Sequence, residues 1–124
     1  MQNLPRISEA EWEVMKILWE TAPLAANEIV AKLEGKMSWK PKTVKTLISR
    51  LAKKKAIGFA KEDRLYLYFP LVSKEDCILE ESRSFLDRVY NGELNVMLTS
   101  FLNSRPLSEQ EIEELKRILE ESRN

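Results

Sequence analysis

The sequence predicts a mainly α-helical protein with one small β-hairpin, and three observations lead to that prediction. Ser8 with Glu11, and Ser108 with Glu111, have the S-x-x-E spacing of a capping box, which satisfies free N–H groups where a helix begins. Apolar residues then recur at intervals of three and four, which is typical of a helix with one buried face. Residues 57–69 instead alternate large apolar residues with others, which predicts two paired strands.

The net charge of zero hides a difference between the two parts of the chain. Residues 1–72 contain thirteen basic and eight acidic residues, a net charge of +5, whereas residues 73–124 contain seven and twelve, a net charge of −5. Within residues 36–64 the net charge reaches +8. We therefore predict two domains, 1–72 and 73–124, of which the first is suited to a polyanion. The alternative for a basic stretch alone is a solvated charged surface.

Three helices are predicted in the first domain. The first begins at Ser8 and ends at Pro23, and the second covers residues 25–34 with Gly35 as its stop. Pro41 suits the first turn of a third helix over residues 40–54.

The third predicted helix has one apolar and one basic face. Its apolar residues fall on one side of a helical projection, and they are Val44, Leu47, Ile48 and Leu51. The opposite face carries only basic and hydroxyl residues, namely Lys42, Thr43, Lys45, Thr46, Ser49, Arg50 and Lys53. Solvated helix faces usually mix the two signs of charge, because Glu–Lys pairs stabilise them. A face without acids therefore favours binding to phosphates and base edges.

The predicted hairpin follows directly after the basic helix. Ile57 and Phe59 lie in its first strand, Leu65, Leu67 and Phe69 in its second, and polar residues 61–64 form the turn. Three helices followed by a hairpin, with a basic third helix, describe a winged helix-turn-helix. In that fold the third helix enters the major groove of double-stranded DNA, and the wing lies near the DNA backbone.

Residues 73–124 are predicted to form a C-terminal arm of three helices. An arm this thin and this apolar would leave much nonpolar surface exposed, so we expect two copies of the chain to pair through it as a homodimer. The expected dimerisation residues are Phe85, Leu86, Val89, Leu94, Leu98, Phe101, Ile112, Leu115 and Leu119.

Other classes of protein are disfavoured by what the chain lacks. It has no histidine, no glycine-rich phosphate loop and no G-x-S-x-G motif, so we predict neither an enzyme nor a cofactor. Cys77 is the single cysteine, which argues against a soft-metal site and favours a reducing, cytoplasmic compartment. Neither a membrane-spanning run nor an apolar leader at residues 1–6 is evident. A winged helix that binds protein rather than DNA remains the competing hypothesis.

Three blocks of sequence resemble the penicillinase-repressor family, the BlaI/MecI type of bacterial regulators. They are residues 7–15 (ISEAEWEVM), 39–51 (WKPKTVKTLISRL) and 66–72 (YLYFPLV). The resemblance implies a homodimer that represses β-lactamase or related antibiotic-resistance genes by binding dyad-symmetric operators. By position it implies helix contacts to DNA from Lys42, Thr43, Lys45, Thr46 and Arg50, and wing contacts from Lys61 and Arg64.

The resemblance also implies a mode of induction. In the family, a membrane sensor with a zinc protease domain responds to β-lactams, and the repressor is then cut in its dimerisation domain. The matching bond here joins Ser100 to Phe101, where family members carry Asn before the Phe. A repressor of the same superfamily that answers a different signal is the alternative. The paired C-x-C motifs of a copper-sensing branch are missing, so no metal site is expected.

Overall fold

The computed structural model describes residues 4–123, and Met1, Gln2, Asn3 and Asn124 lie outside it. Half of the segment 1–6, in which no apolar leader is expected, therefore lies outside the described residues. The described chain contains six helices and three short strands. In order they are α1 (Glu9–Glu20), β1 (Leu24–Ala25), α2 (Ala26–Glu34), α3 (Pro41–Lys53), β2 (Ile57–Glu62), β3 (Leu65–Pro70), α4 (Lys74–Tyr90), α5 (Leu94–Ser104) and α6 (Glu109–Glu121). The predicted mainly helical fold class is confirmed.

The chain forms two compact units, Met1–Glu80 and Glu81–Asn124. We call them the first unit and the second unit. The division between them falls inside α4, whereas the sequence placed the domain boundary before it, and that boundary stays a prediction. The first turn of α4 belongs to the first unit, because Cys77 is buried in that unit's core.

Helix α1 begins with the predicted capping box. Ser8 Oγ accepts the Glu11 N–H at 3.2 Å, and Glu11 Oε1 accepts the Ser8 N–H at 2.8 Å. The helix buries four apolar side chains, which are Val14, Met15, Ile17 and Leu18. At its C-terminal end, the Trp19 indole N–H donates to the Val72 carbonyl at 2.9 Å, which ties α1 to the chain just before α4.

The sheet has one strand more than the predicted hairpin. Its antiparallel order is β1-β3-β2, with Leu24 opposite Tyr68 and Phe59 also opposite Tyr68. Strand β1 has only two residues, which is too short to show an alternating pattern, so the sequence could not indicate it. The turn is also tighter than predicted, since Glu62 pairs with Leu65 and the strands extend into residues 61 and 62.

The core of the first unit lies between its three helices and the sheet. The residues that α3 was predicted to turn inward are all buried there, as are Ile29 and Leu33 of α2 and Ile57 of β2. Glu28 Oε1 accepts the Ala25 N–H at 2.9 Å and so caps the start of α2. These contacts fix α3 on one face only and leave its other face outside the core.

The second unit contains the rest of α4 together with α5 and α6. Asn91 and Gly92 both have positive φ, 53° and 80°, which ends α4 in the left-handed conformation that these two residues tolerate best. Helix α6 begins with the predicted capping box between Ser108 and Glu111. Within residues 4–123, no helix combines the length and the apolar character needed to cross a membrane.

Candidate nucleic-acid interface

Helix α3 presents its whole polar face to solvent. Val44, Leu47, Ile48 and Leu51 are buried, and none is more than 5% exposed. The side chains expected to face DNA are exposed, and they are Lys42, Thr43, Lys45, Thr46 and Arg50. Ser49 and Lys53 are exposed on the same helix. The structure therefore brings all five predicted helix residues onto one surface that carries no carboxylate.

The N-terminal end of α3 is left open for an anion. Its N-cap residue is Lys40, whose side chain makes no capping hydrogen bond, and its first turn contains no acid. Pro41 at the first position lacks an N–H, and the Thr43 N–H donates to the Lys40 carbonyl at 2.9 Å, but the helix dipole still gives this end positive character. Acids or hydroxyls normally occupy such an end and satisfy it. Here lysines occupy it instead, and a bound phosphate would supply the missing negative charge. Sequence reasoning missed Lys40, although its place before Pro41 could have indicated it.

Thr46 already uses its hydroxyl hydrogen within the helix. Its Oγ1 donates to the Lys42 carbonyl oxygen at 3.0 Å, the common arrangement of a helical threonine. Towards DNA it therefore offers an accepting oxygen and a methyl group. The methyl group suits the C5-methyl of thymine, and the oxygen suits a base amino group.

The three lysines that end α3 have different surroundings. Lys53 and Lys55 are exposed, and Lys55 has a positive φ of 64° just after the helix. Lys54 is only partly exposed, and its Nζ lies 2.6 Å from Glu11 Oε1. Burial works against ionisation of Glu11, yet the hydrogen bonds from Lys54 and from the Ser8 N–H outweigh it and lower the pKa of this carboxyl. The sequence pattern alone gives no reason to distinguish these three lysines.

The wing carries both predicted basic residues, and both are exposed. Lys61 lies opposite Tyr66 near the end of β2, and Arg64 follows Asp63, whose positive φ of 57° makes the tight turn. Successive strand residues point to opposite faces, so Glu62 points away from Lys61. Within the hairpin the Phe59 ring packs against two tyrosines of β3, with its centroid 5.1 Å from that of Tyr66 and 6.0 Å from that of Tyr68.

Residues of the predicted dimer arm are mostly exposed in the single chain. Phe85 and Leu86 are half-buried, and the Phe85 ring meets the Tyr90 ring edge-on at 5.8 Å. The other seven are exposed, namely Val89, Leu94, Leu98, Phe101, Ile112, Leu115 and Leu119. Val96, Leu102 and Ile118 are also exposed but were not predicted. The bond between Ser100 and Phe101 lies inside α5, and Phe101 is 53% exposed.

Residues 4–123 contain no group of three or more metal-ligating side chains. Cys77 is buried, and burial, with the nearby Asp76 charge, raises the pKa of its thiol. A thiol in this state is a poor nucleophile and a poor ligand. The exposed basic groups of α3 and the wing are the part of the described surface that is suited to anions.

Comparison with known proteins gives matches over nearly the whole chain. The family model described as "Penicillinase repressor" matches residues 7–121. The penicillinase repressor of Bacillus licheniformis is 44% identical over 124 residues, covering 100% of this chain and 97% of the relative. The methicillin resistance regulatory protein MecI of Staphylococcus aureus is 41% identical over 113 residues, covering 91% and 92%.

Among solved structures, the chain is similar to the monomeric form of B. licheniformis BlaI in complex with the blaP half-operator. That match has a TM-score of 0.54 and 39% identity, and it covers 61% of this chain and 93% of the other.

Proposed function

Because the chain belongs to the penicillinase repressor family, we propose that it is a repressor that binds dyad-symmetric operator DNA as a homodimer and controls β-lactamase or other antibiotic-resistance genes. The family predicted from residues 7–15, 39–51 and 66–72 is confirmed. Its members are DNA-binding transcriptional repressors, which are not enzymes. The observation that carries the proposal for this chain is the exposed face of α3, which is basic and free of carboxylates.

In the proposed complex the N-terminal half of α3 lies in the major groove. Lys42, Thr43, Lys45 and Thr46 face the bases there, while Arg50 lies nearer the phosphates. This assignment is supported by the exposure of these side chains and by the uncapped start of α3. The same end of the helix places Lys40 for a phosphate contact.

The wing contributes backbone contacts in the proposed complex. Lys61 and Arg64 are its basic residues, and both are exposed. They share the end of the hairpin with Glu62 and Asp63, so the wing end has no net charge. It therefore adds directed hydrogen bonds to phosphates rather than a general attraction to DNA.

Dimerisation through the second unit is supported by its exposed apolar side chains. Contiguous apolar surface on a soluble chain usually marks a site of association. A second copy covers it by two-fold symmetry, and the same symmetry matches a dyad operator. The similar BlaI structure from Bacillus licheniformis is of its monomeric form in complex with the blaP half-operator, which is consistent with one copy on each half of a full operator.

Induction by a membrane sensor protease is proposed to act at the bond between Ser100 and Phe101. The N-cap residue of α5, Glu93, makes no capping hydrogen bond with its side chain, whereas in the last turn Ser104 Oγ donates to the Phe101 carbonyl at 2.6 Å. A protease needs an extended substrate, so a helix without a side-chain cap at its start favours local opening and cutting there. Cutting would separate α6 and the end of α5 from α4, and would thereby remove dimerisation residues. A sensor for a different signal is the alternative, because Ser100 replaces the family's Asn.

The proposal is tested by selecting binding sites from random DNA and measuring affinity across a range of salt. A sequence-specific DNA-binding protein should enrich a near-palindromic sequence. The logarithm of its association constant for DNA should fall by about 0.9 per phosphate contact for each log unit of salt concentration. A winged-helix module that binds protein would enrich no sequence and would show no such slope. With DNA as its partner, the repressor is proposed to act in the cytoplasm.

A further inference from the structure

Lys54 differs from the lysines on either side of it in what its ammonium group contacts. Its Nζ donates to Glu11 Oε1 at 2.6 Å and to the Arg6 carbonyl oxygen at 2.7 Å. Both partners lie at the start of α1, and Glu11 is 43 positions away in the sequence. Lys53 and Lys55 are exposed. In a run of three lysines beside a DNA-binding face, the middle one is thus turned inward.

Glu11 depends on this contact because it is buried. Its side chain is 3% exposed, against 33% for that of Lys54. The same Oε1 also accepts the Ser8 N–H at 2.8 Å. A buried carboxylate that loses its cationic partner is strongly unfavourable, whereas a pair with good hydrogen bonds is tolerated. The two residues therefore act as one unit.

The pair lies where it can control how α3 is oriented. Lys54 is the C-cap residue of α3, and its backbone N–H donates to the Arg50 carbonyl at 3.0 Å. Buried apolar side chains hold α3 to the core, but apolar contacts are not directional. A short charged hydrogen bond is directional. It fixes the C-terminal end of α3 against the start of α1.

We propose that Glu11 and Lys54 are positioning residues that set the orientation of α3, so that Lys54 serves DNA binding through Glu11 and not through a phosphate. The proposal rests on the proposed role of α3 in binding DNA. It assigns opposite roles to neighbouring lysines, since Lys53 and Lys55 remain available to phosphates.

The first test compares Lys54→Met with Lys53→Met in the full chain, using operator affinity across a range of salt and thermal unfolding. Lys54→Met keeps the apolar stem but leaves Glu11 unpaired, and we expect affinity to fall about tenfold with an unchanged salt slope. Its unfolding midpoint should fall by roughly 5–15 °C. Lys53→Met, the matched control, should leave the midpoint unchanged. Lys54→Arg should recover most of the affinity because it keeps the charge and the donors.

The second test uses Glu11→Gln, which retains the carbonyl acceptor and folds without a buried charge. If Lys54 is held by Glu11, this change should lower affinity with an unchanged salt slope, and adding Lys54→Met to it should cost little more. A lysine that contacts a phosphate behaves in the opposite way. Glu11→Gln would then raise affinity by removing a competing anion, and Lys54→Met would reduce the slope by about 0.9; either result overturns the proposal. Absence of salt-dependent DNA binding by the unaltered chain would instead contradict the proposed function.

Discussion

Two adjacent residues of α3, Lys45 and Thr46, offer DNA different kinds of contact. Lys45 has an exposed ammonium group with three donors, which suits phosphates and guanine O6 and N7. The Thr46 hydroxyl donates its hydrogen to the Lys42 carbonyl. Its outward chemistry is therefore mainly that of its methyl group, and such a group distinguishes thymine from cytosine but contributes nothing to phosphates.

Thr46→Ala should weaken binding to the selected operator by roughly 1–3 kcal/mol if the residue reads a base. Thr46→Val should lose less, since it keeps the methyl group and the branched shape. Fluorescence anisotropy with operator and random duplexes measures both variants. An equal loss on the two duplexes would show that Thr46 contacts the backbone instead.

At the scale of elements, the link between α5 and α6 is held by one ion pair and one capping box. Arg105 donates to both carboxylate oxygens of Glu111, at 3.2 and 2.9 Å, and the Ser108 N–H donates to Glu111 Oε1 at 3.0 Å. The hydrogen bonds from Arg105, followed by that from the Ser108 backbone, lower the pKa of Glu111 from its ordinary value of 4.5 to about 2. One carboxylate thus joins the loop to the start of α6.

Because the pKa of Glu111 is lower in the folded chain, its stabilisation of α6 is present above pH 4.5 and is lost as the pH falls through about 2. We expect an NMR titration of the Glu111 carboxyl carbon to show this low pKa. Arg105→Gln should raise the pKa towards its ordinary value. Arg117→Gln, a change on the exposed side of α6, is the control and should leave the Glu111 titration unaltered; a titration near 4.5 in the unaltered chain would contradict the ion pair.

The sequence predicted those elements whose signals are local. Both serine capping boxes form as predicted, and the faces of α3 follow from helical periodicity alone. Strand β1 was not predicted, because it forms only by pairing with β3, which lies more than forty positions later in the sequence. The Glu11–Lys54 pair was not predicted for the same reason. Contacts between distant segments depend on tertiary packing, and a single sequence does not display them.

At the scale of the whole molecule, the first unit extends beyond the wing into α4. The Val72 carbonyl accepts the Trp19 indole N–H, and Cys77 fills part of the core. Residues 73–80 therefore belong to the first unit even though their helix continues into the second. The net negative charge of residues 73–124 could not indicate that residues 73–80 belong to the first unit, because only one small apolar side chain, that of Cys77, anchors them there.

A chain cut after residue 80 should fold as a monomer, bind a half-site and bind a palindrome poorly. A chain cut after residue 72 should be less stable by roughly 1–3 kcal/mol, since it loses the buried Cys77 side chain and the first turn of α4. Sedimentation and urea unfolding measure the two properties. A dimer of the 1–80 fragment would contradict the role assigned to the second unit, and equal stability of the fragments would contradict the anchoring role of Cys77.

The bond from Trp19 to Val72 also provides an optical signal. Indole emission depends on whether the ring N–H is hydrogen-bonded and on how much water surrounds the ring. Trp19 is partly buried, and its ring lies 5.5 Å from that of Trp12. A cut inside α5 removes none of these residues, whereas loosening of the chain at residues 72–77 breaks the hydrogen bond from Trp19 to Val72. Trp19 emission, isolated by replacing Trp12 and Trp39 with Phe, can therefore distinguish a chain cut in α5 from one whose first unit has begun to unfold, without any added label.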